Sequence, residues 1–272
     1  MSEPKKHHYV PQCYQRRFSA DGVNIKYFDK KAQQGRVGKI EEFCQIEYLY
    51  YLSHSPSPYY LERDFFAKCV DDKLSKHLIY FDSIDYRNVR VEFNLDKKKS
   101  IAKQMLLQYM RTPQYRNTKY QYEIDAYCLQ INYLLHKIGI ETETMMFIGD
   151  APEFHKRRLC DNQETDDIIN EIASAHWELL HSQCYEFYTS DNPVAVKERL
   201  DMPVGYCDAI KYFDDIYYPL NSNLLLHVAT KKADSKRDIP IKEITNKEEV
   251  SQINDIIKSK AQQYIVYKNQ YE

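Results

Sequence analysis

The chain has 272 residues, of which 43% are hydrophobic and 29% are charged, and its formal net charge is −2. Such a composition is typical of a globular protein, and the near-neutral charge excludes a global basic field that would drive nonspecific binding to DNA. Seven cysteines without any Cys-x-x-Cys pair argue against both a disulfide framework and a zinc knuckle. With a charged N-terminus and no apolar run of about 20 residues, we expect a cytoplasmic protein without a membrane partner.

The first informative segment is a polar run near the N-terminus, which contains His7, His8, Gln12, Arg16 and Arg17. Imidazole titrates near neutral pH and can carry protons or bind a metal, while guanidinium suits phosphate or carboxylate oxygens. The run therefore predicts a site for an anion, although a disordered tail or simple turn would have the same composition. Adjacent side chains point in opposite directions in an extended segment, so one histidine enters a given site, and His8 is the first choice.

The polar run also contains the apolar residues Val10, Tyr14 and Phe18, which are spaced to anchor one face of a short helix or turn at 12–18, and we expect them to pack this motif against the C-terminal sheet. The later predicted elements are a strand at 24–28, a strand or helix at 46–52, a loop at 53–58, helices at 62–80, 101–109, 120–138 and 165–180, strands at 184–188, 216–218 and 224–229, a helix that opens at Thr245, and a strand at 264–267. The sequence thus predicts an α+β fold in a single domain, 1–272. A mixed or antiparallel sheet would come from the N- and C-terminal segments, and the middle, at about 95–182, would be largely helical.

Two further segments carry candidate site residues. Thr112-Pro113 should break a helix, so Arg111 and Arg116 flank a helix end, where anions are favoured. Asp191 and Asn192 follow a predicted strand in a Ser-Asp-Asn-Pro sequence, a loop position from which functional side chains often project, although the same sequence makes a good turn. A carboxylate near the histidines would orient an imidazole or complete a metal site with two histidines and one carboxylate.

Several of these segments carry a resemblance to a known family. The first reads His-His-x-Val-Pro-Gln-x-Tyr-x-x-x-Phe from His7 to Phe18, and the others are Arg111–Arg116, Thr189–Val194, Tyr218–Asn221 and the C-terminal pattern from Ile253-Asn254 through Ala261 to Tyr264-Ile265-Val266. In these motifs, nearly over its whole length, the chain resembles the bacterial domain-of-unknown-function family 4238. The chain departs from the family's pattern at two positions, with Cys13 in place of an aromatic residue and Gln15 in place of a leucine. Both positions are expected to serve packing. The resemblance implies no settled biochemical activity, but members of the family occur among bacterial antiphage defence genes.

The sequence carries no Walker, dinucleotide or G-x-S-x-G signature, which removes support for an ATPase, a dehydrogenase or an α/β-hydrolase. The predicted site consists of the catalytic residues His7, His8 and Asp191 and the substrate-binding residues Gln12, Arg16, Arg111, Arg116 and Asn192. With an imidazole base and guanidiniums on phosphate oxygens, these residues predict a nuclease, and few convergent carboxylates favour RNA over DNA. The family resemblance implies that the protein acts as an antiphage defence effector. The alternative is a noncatalytic sensor or binding module that recognises a phage protein or a small anionic ligand. Any cofactor, the metal and the oligomeric state stay open.

Overall fold

The computed structural model describes residues 5–140, 151–160, 162–199, 209–230 and 238–271. The strands are β1 (Lys6–His8), β2 (Asn24–Asp29), β3 (Gln34–Lys39), β4 (Gln45–Glu47), β5 (Arg90–Glu92), β6 (His176–His181), β7 (Thr189–Ser190), β8 (Ala195–Glu198), β9 (Phe213–Asn221), β10 (Leu224–Ala229), β11 (Asp238–Glu243) and β12 (Tyr264–Tyr267). The α-helices are α1 (Gln12–Gln15), α2 (Asp72–Asp82), α3 (Leu95–Met110), α4 (Pro113–Lys137), α5 (Ala151–Cys160), α6 (Asn162–Ser174) and α7 (Lys247–Lys260). Short 3-10 helices span Arg16–Phe18, Ile40–Glu42 and Ala209–Tyr212, and a π-helix spans Tyr60–Asp71. The predicted α+β class is confirmed.

The strands form three sheets. A four-stranded antiparallel sheet has the order β3-β2-β12-β7, so that Ile265 of β12 lies opposite Phe28 on one side and Ser190 on the other. A six-stranded sheet has the order β5-β11-β6-β10-β9-β8, and its β11–β6 pair is parallel. The third sheet is the antiparallel pair β1–β4. The antiparallel and mixed sheets and the origin of their strands in N- and C-terminal segments agree with the prediction.

The two faces of the six-stranded sheet are buried by different helices. On β6, Trp177 and Leu179 belong to the main core, which also includes residues of α3 and α6, while the neighbouring Leu180 belongs to a second cluster with Ile253 and Ile257 of α7. This alternation is the period of two that a strand buried on both faces must show. The sheet is therefore a middle layer between helices.

The helical middle ends earlier than the sequence predicts. The predicted helix at 165–180 stops at Ser174, and residues 176–181 form β6 in the interior of the six-stranded sheet. The segment is apolar enough to form either a helix or a strand. It forms a strand because it pairs with β10 and β11, and such tertiary contacts override weak local propensity. The strand predicted at 184–188 is also wrong. There the Phe187 N–H donates to the Ser222 carbonyl and the Tyr188 N–H to the Asn254 side chain, neither of which belongs to a strand ladder.

Helix caps account for two boundaries. The predicted break at Thr112-Pro113 is confirmed, since Thr112 caps α4 by accepting from the Tyr115 N–H at 3.3 Å and Pro113 takes the first helical position. The predicted cap at Thr245 lies one residue too early. The capping side chain is that of Asn246, which accepts from the Glu248 N–H at 2.8 Å.

The predicted helix at 62–80 consists of two different helices. Its first part is the π-helix Tyr60–Asp71, which continues directly into α2. The wider winding is rare and is frequently found at functional sites. Leu61, Phe66 and Val70 form its buried face. In the part of the chain that the structure describes, no helix combines the length and the apolar character needed to cross a membrane.

The N-terminal motif packs against both large sheets. Val10, Tyr14 and Phe18 are buried, and the Tyr14 hydroxyl donates to the Pro219 carbonyl of β9 at 2.7 Å and lies 2.8 Å from Thr189 Oγ1 of β7. The predicted anchoring of the motif on the C-terminal strands is therefore confirmed. This anchoring gives the polar residues of the motif fixed positions.

Candidate functional site

The two neighbouring histidines of β1 have different environments. His7 is fully buried, its ring stacks on that of Tyr50 with centroids 5.6 Å apart, and its Nδ1 lies 2.9 Å from the Tyr50 backbone nitrogen. Because a backbone N–H donates, Nδ1 of His7 is the accepting, unprotonated nitrogen in this bond. His7 thus holds the backbone of the loop that follows β4. Of the two histidines, the half-buried His8 is the one that reaches the surface.

His8 begins a line of polar side chains on the surface of the N-terminal motif. Its Nε2 lies 3.5 Å from Nε2 of Gln12, and Arg16 donates from Nη2 to Oε1 of Gln12 at 2.9 Å. These three residues, which we call the His8 row, are connected by these contacts, with His8 at the end of β1, Gln12 in α1 and Arg16 in the 3-10 helix that follows. Arg16 is exposed. Three of the eight predicted site residues are brought together in this row.

Burial and the nearby Arg111 guanidinium lower the pKa of His8 below its usual value, while the backbone of Glu41 and Ile40 opposes the shift. Both main causes disfavour the charged imidazolium. At neutral pH the ring is therefore unprotonated and can accept a proton.

Arg111 lies beneath the His8 row and is only 1% exposed. Its Nη1 donates to Asp71 Oδ1 and its Nη2 donates to the His8 carbonyl, each at 2.6 Å, and the guanidinium lies 4.3 Å from the centre of the Phe66 ring. Burial alone would lower the pKa of Arg111, but Asp71 and other nearby groups raise it above its usual value. Arg111 is thus a charged clamp between β1 and the π-helix.

Arg116 contacts the neighbouring loop. It donates from Nη1 to the Leu49 carbonyl at 2.7 Å and from Nε to Asn117 Oδ1 at 3.2 Å. The side chain is half-buried, burial lowers its pKa, and no carboxylate pairs with it among the residues described here. Arg111 therefore reaches His8 through the backbone, whereas Arg116 reaches the chain segment at Leu49.

Sequence reasoning missed Glu62, which completes the clamp. The backbone N–H of His8 donates to the Glu62 carboxylate, and burial raises the pKa of Glu62 to about 7. Its Oε2 is buried and has no hydrogen-bond partner among the described residues. Glu62 stands four residues before the buried Phe66 and eight before the buried Val70. A carboxylate in line with an apolar helical face was the signal that could have revealed it.

Asp191 performs a structural task. Its Oδ1 accepts from the Gln262 N–H at 2.9 Å, and its Oδ2 accepts from the N–H groups of Gln263 and Tyr264 at 2.7 and 3.2 Å. Burial raises its pKa and these three N–H groups oppose the shift. The carboxylate thus fixes the link between α7 and β12, and its hydrogen bonds go to backbone groups instead of to an imidazole.

Asn192 lies at a different place from the His8 row. Its Nδ2 donates to Gln114 Oε1 at 3.2 Å and to the Lys260 carbonyl at 3.3 Å, and it lines a pocket of about 160 Å³ together with the first turn of α4. Within the described ranges, no group of three or more histidine, cysteine, aspartate or glutamate side chains is arranged to hold a metal ion.

The chain can now be classified as an α+β protein with its N-terminal motif anchored on two sheets. The model of the DUF4238 family, described as a protein of unknown function, matches residues 6–271. The chain therefore belongs to the DUF4238 family. Comparison with curated proteins and with solved structures found no significant match. Because the family description names no activity, a function has to be argued from the site.

Proposed function

We propose that this chain is a cytoplasmic antiphage defence effector that cleaves RNA, with His8 as general base. One observation carries the chemistry: His8 is a half-buried imidazole with a lowered pKa, in line with the Gln12 amide and the exposed Arg16 guanidinium. Such a row offers a proton acceptor and a fixed cation to a phosphodiester. Its place in defence is supported by the family resemblance of the sequence motifs.

In this mechanism His8 removes the proton from a ribose 2′-hydroxyl. The 2′-oxygen then attacks the adjacent phosphorus, the bond from phosphorus to the 5′-oxygen breaks, and the proton returns to that oxygen from the imidazolium. The products are a 2′,3′-cyclic phosphate and a 5′-hydroxyl. Arg16 balances the negative charge that develops on the phosphoryl oxygens, and Gln12 orients the imidazole. RNA supplies its own nucleophile, which is why this small set of groups is sufficient.

Glu62 and Arg111 are positioning residues in the mechanism. They hold the two backbone polar groups of His8, the N–H through the Glu62 carboxylate and the carbonyl through the guanidinium. Reacting groups must be held within fractions of an ångström for efficient catalysis. The clamp on the backbone fixes the position from which the imidazole acts.

The proposal is tested by incubating purified protein with total RNA and with plasmid DNA, with and without EDTA, after addition of lysate from phage-infected cells. We expect RNA fragments with 2′,3′-cyclic phosphate ends that persist in EDTA and disappear with His8→Ala. The matched control is His54→Ala, because His54 is an exposed histidine in a loop outside the row. EDTA-sensitive nicking of DNA would overturn the mechanism.

The second candidate function is a noncatalytic sensor that binds a phage protein or a small anion. It is favoured by the hydrogen bonds of Arg111 and Asp191, which use both side chains inside the protein and leave no second acid–base group on the row. In that case His8→Ala and Arg16→Ala would abolish protection in a plaque assay, and the wild-type protein would cleave no nucleic acid in any arm of the test above.

A further inference from the structure

The C-terminal part of α4 exposes a large amount of apolar surface. Of the residues of this helix, all of which the structure describes, Tyr115 and Lys119 are buried, and every later one is half-buried or exposed. The large apolar residues Tyr122, Tyr127, Leu129, Tyr133, Leu134 and Ile138 are each 46–72% exposed. A helix in water gains most of its stability from packing, and contiguous exposed apolar surface marks interaction sites. We therefore expect this part of α4 to form an interface.

The apolar side chains of this part follow a regular repeat. At alternating spacings of four and three stand Tyr120, Ile124, Tyr127, Ile131, Leu134 and Ile138, which we call the α4 seam. A repeat of 3.5 residues places side chains along one line of a helix, and it is typical of two helices packed as a coiled coil. The line on the opposite side, which contains Leu129 and Tyr133, is interrupted by Ala126 and His136. The α4 seam is therefore the better contact surface.

The seam begins where α4 leaves its neighbour α5. The Tyr120 ring meets the Phe154 ring of α5 edge to face with centroids 5.4 Å apart. Farther along the helix, Tyr127 and Leu134 are 58% and 55% exposed. From Tyr120 to Ile138 the seam is about 27 Å long, at 1.5 Å per residue. This length suits a second helix of the same kind.

The charges beside the seam favour a second copy of α4 that runs in the opposite direction. Glu123 and Lys137 each stand one residue before a seam position. If Tyr127 of one copy packs against Ile131 of the other, antiparallel geometry brings Glu123 of each copy beside Lys137 of the other. Parallel helices would place Glu123 beside Cys128 and so form no ion pair there.

Both charged groups can take part in such a contact. Glu123 accepts from Arg158 through Oε1, which leaves its second carboxylate oxygen for a lysine. The exposed Lys137 holds its Nζ 4.8 Å from the centre of the Tyr133 ring. Since Lys137 lies on a flexible stem at the end of the helix, its ammonium group can reach a carboxylate beside it.

We propose that the α4 seam joins two copies of this chain into an antiparallel dimer. A two-fold interface uses the same patch on both copies, and the seam meets this condition. Its layers pair Tyr120 with Ile138, Ile124 with Leu134 and Tyr127 with Ile131, each pair occurring twice. Because the start of α4 packs into the rest of the protein, antiparallel helices place the two protein bodies at opposite ends. The proposal does not depend on RNA cleavage at His8.

The test is sedimentation velocity of the full chain over a dilution series. We expect wild type to sediment as a species of twice 32.6 kDa that dissociates on dilution. Leu134→Glu puts a carboxylate into the seam of each copy and should raise the dimer dissociation constant about a hundredfold. The matched control is Leu129→Glu, the same change on the opposite side of the same helix, which should leave the constant unchanged.

The direction of the helices is tested by Lys137→Glu. In the antiparallel dimer this change turns two attractive contacts into repulsive ones and should weaken association about tenfold. Lys73→Glu, at an exposed lysine of α2, is its control and should have no effect. An unchanged dissociation constant for Lys137→Glu would overturn the antiparallel arrangement.

Two further outcomes would overturn the dimer itself: a wild-type chain that is monomeric at every concentration, or equal effects of Leu134→Glu and Leu129→Glu. Both leucines are more than half exposed, so we expect both variants to keep the wild-type fold, which circular dichroism checks. The mass of the wild-type species needs no variant, so it decides even if Leu134→Glu does not fold.

Discussion

Two pairs of neighbouring polar residues, His7-His8 in β1 and Asp191-Asn192 after β7, invite a direct comparison. In each pair the first side chain accepts from backbone N–H groups inside the protein: His7 from Tyr50, and Asp191 from the segment that precedes β12. The second side chain of each pair makes no such backbone anchor: the half-buried His8 lies against the Gln12 amide, and Asn192 keeps a buried Oδ1 that has no hydrogen-bond partner among the described residues. In each pair the first residue is therefore an anchor and the second is not fixed in the same way.

The two regions differ in what fixes them. His8 is held by charged side chains, through Glu62 on its N–H and Arg111 on its carbonyl, so its surroundings depend on pH. The turn at Asp191 is held by neutral backbone N–H groups, which do not titrate. Charged clamps and backbone anchors should therefore respond differently to substitution, and the following variants test that difference.

The largest expected effect is that of Arg111→Met, which should lower the free energy of unfolding by about 3–5 kcal/mol, because it leaves the Asp71 carboxylate and the His8 carbonyl without their partner. Urea unfolding measures the change. The control is Arg116→Met, which removes bonds to a carbonyl and an amide and should cost about 1 kcal/mol. Equal losses in the two variants would mean that Arg111 is not a clamp.

Asp191→Ala should lower the free energy of unfolding by about 3 kcal/mol, since three backbone N–H groups lose a charged acceptor. Any loss of phage protection should then parallel a loss of folded protein, seen by thermal unfolding. Asp255→Ala, at an exposed acid of α7, serves as the control and should change little. A stable but inactive Asp191→Ala protein would instead return Asp191 to the catalytic list.

Glu62→Gln tests the pH dependence of the clamp. In the folded protein, burial raises the pKa of Glu62 to about 7 from its usual value of 4.5. Between these values only the unfolded chain releases the proton, so this group makes the folded state less stable as pH rises through the window, with no further change above it. Glutamine does not titrate. The variant should therefore gain about 3 kcal/mol relative to wild type between pH 4 and pH 8 in urea unfolding.

The control for this experiment is Glu42→Gln, at an exposed glutamate whose environment is water. Its difference from wild type should stay flat over the same pH range. A flat difference for Glu62→Gln as well would show that the carboxylate ionises normally and that the clamp is not pH-sensitive.

The smallest effect on stability is expected for His8→Ala, at most about 0.5 kcal/mol, because the clamp holds backbone atoms that alanine retains. RNA cleavage should nevertheless be abolished. Thermal unfolding and the cleavage assay are measured on the same preparation. A loss of stability as large as that of Asp191→Ala would make His8 a structural anchor like its neighbour.

Local signals predicted much of the fold correctly. The strands at 24–29, 224–229 and 264–267 follow short runs with strand composition, and Thr112-Pro113 marks a helix boundary by its capping hydroxyl and its missing N–H. The sequence did not predict elements whose secondary structure depends on neighbouring segments of the folded chain. The segment 176–181 becomes a strand because β10 and β11 lie on either side of it, and no local pattern distinguishes the π-helix from an α-helix.

The candidate site shows the same division. His8, Gln12 and Arg16 could be grouped from sequence because they belong to one short polar segment. The apolar helical face could have drawn attention to Glu62, but its contact with the His8 N–H could not be predicted, since this contact joins segments that are far apart in the chain. The opposite roles of Asp191 and Asn192 depend equally on residues around 262 and 114, which only the folded chain brings near.

The position of β12 between β2 and β7 has a consequence for how the protein is made. During translation the hairpin β2–β3 leaves the ribosome early, but its other neighbour is complete only after residue 267, and at 5–20 residues per second the wait is on the order of tens of seconds. The hydrogen bond from the Tyr14 hydroxyl to the Pro219 carbonyl likewise forms only after Pro219 has been synthesised. Until then the edge of β2 is open to wrong partners, and the N-terminal motif lacks its support. The order of synthesis thus delays assembly of the His8 row until most of the chain has been produced.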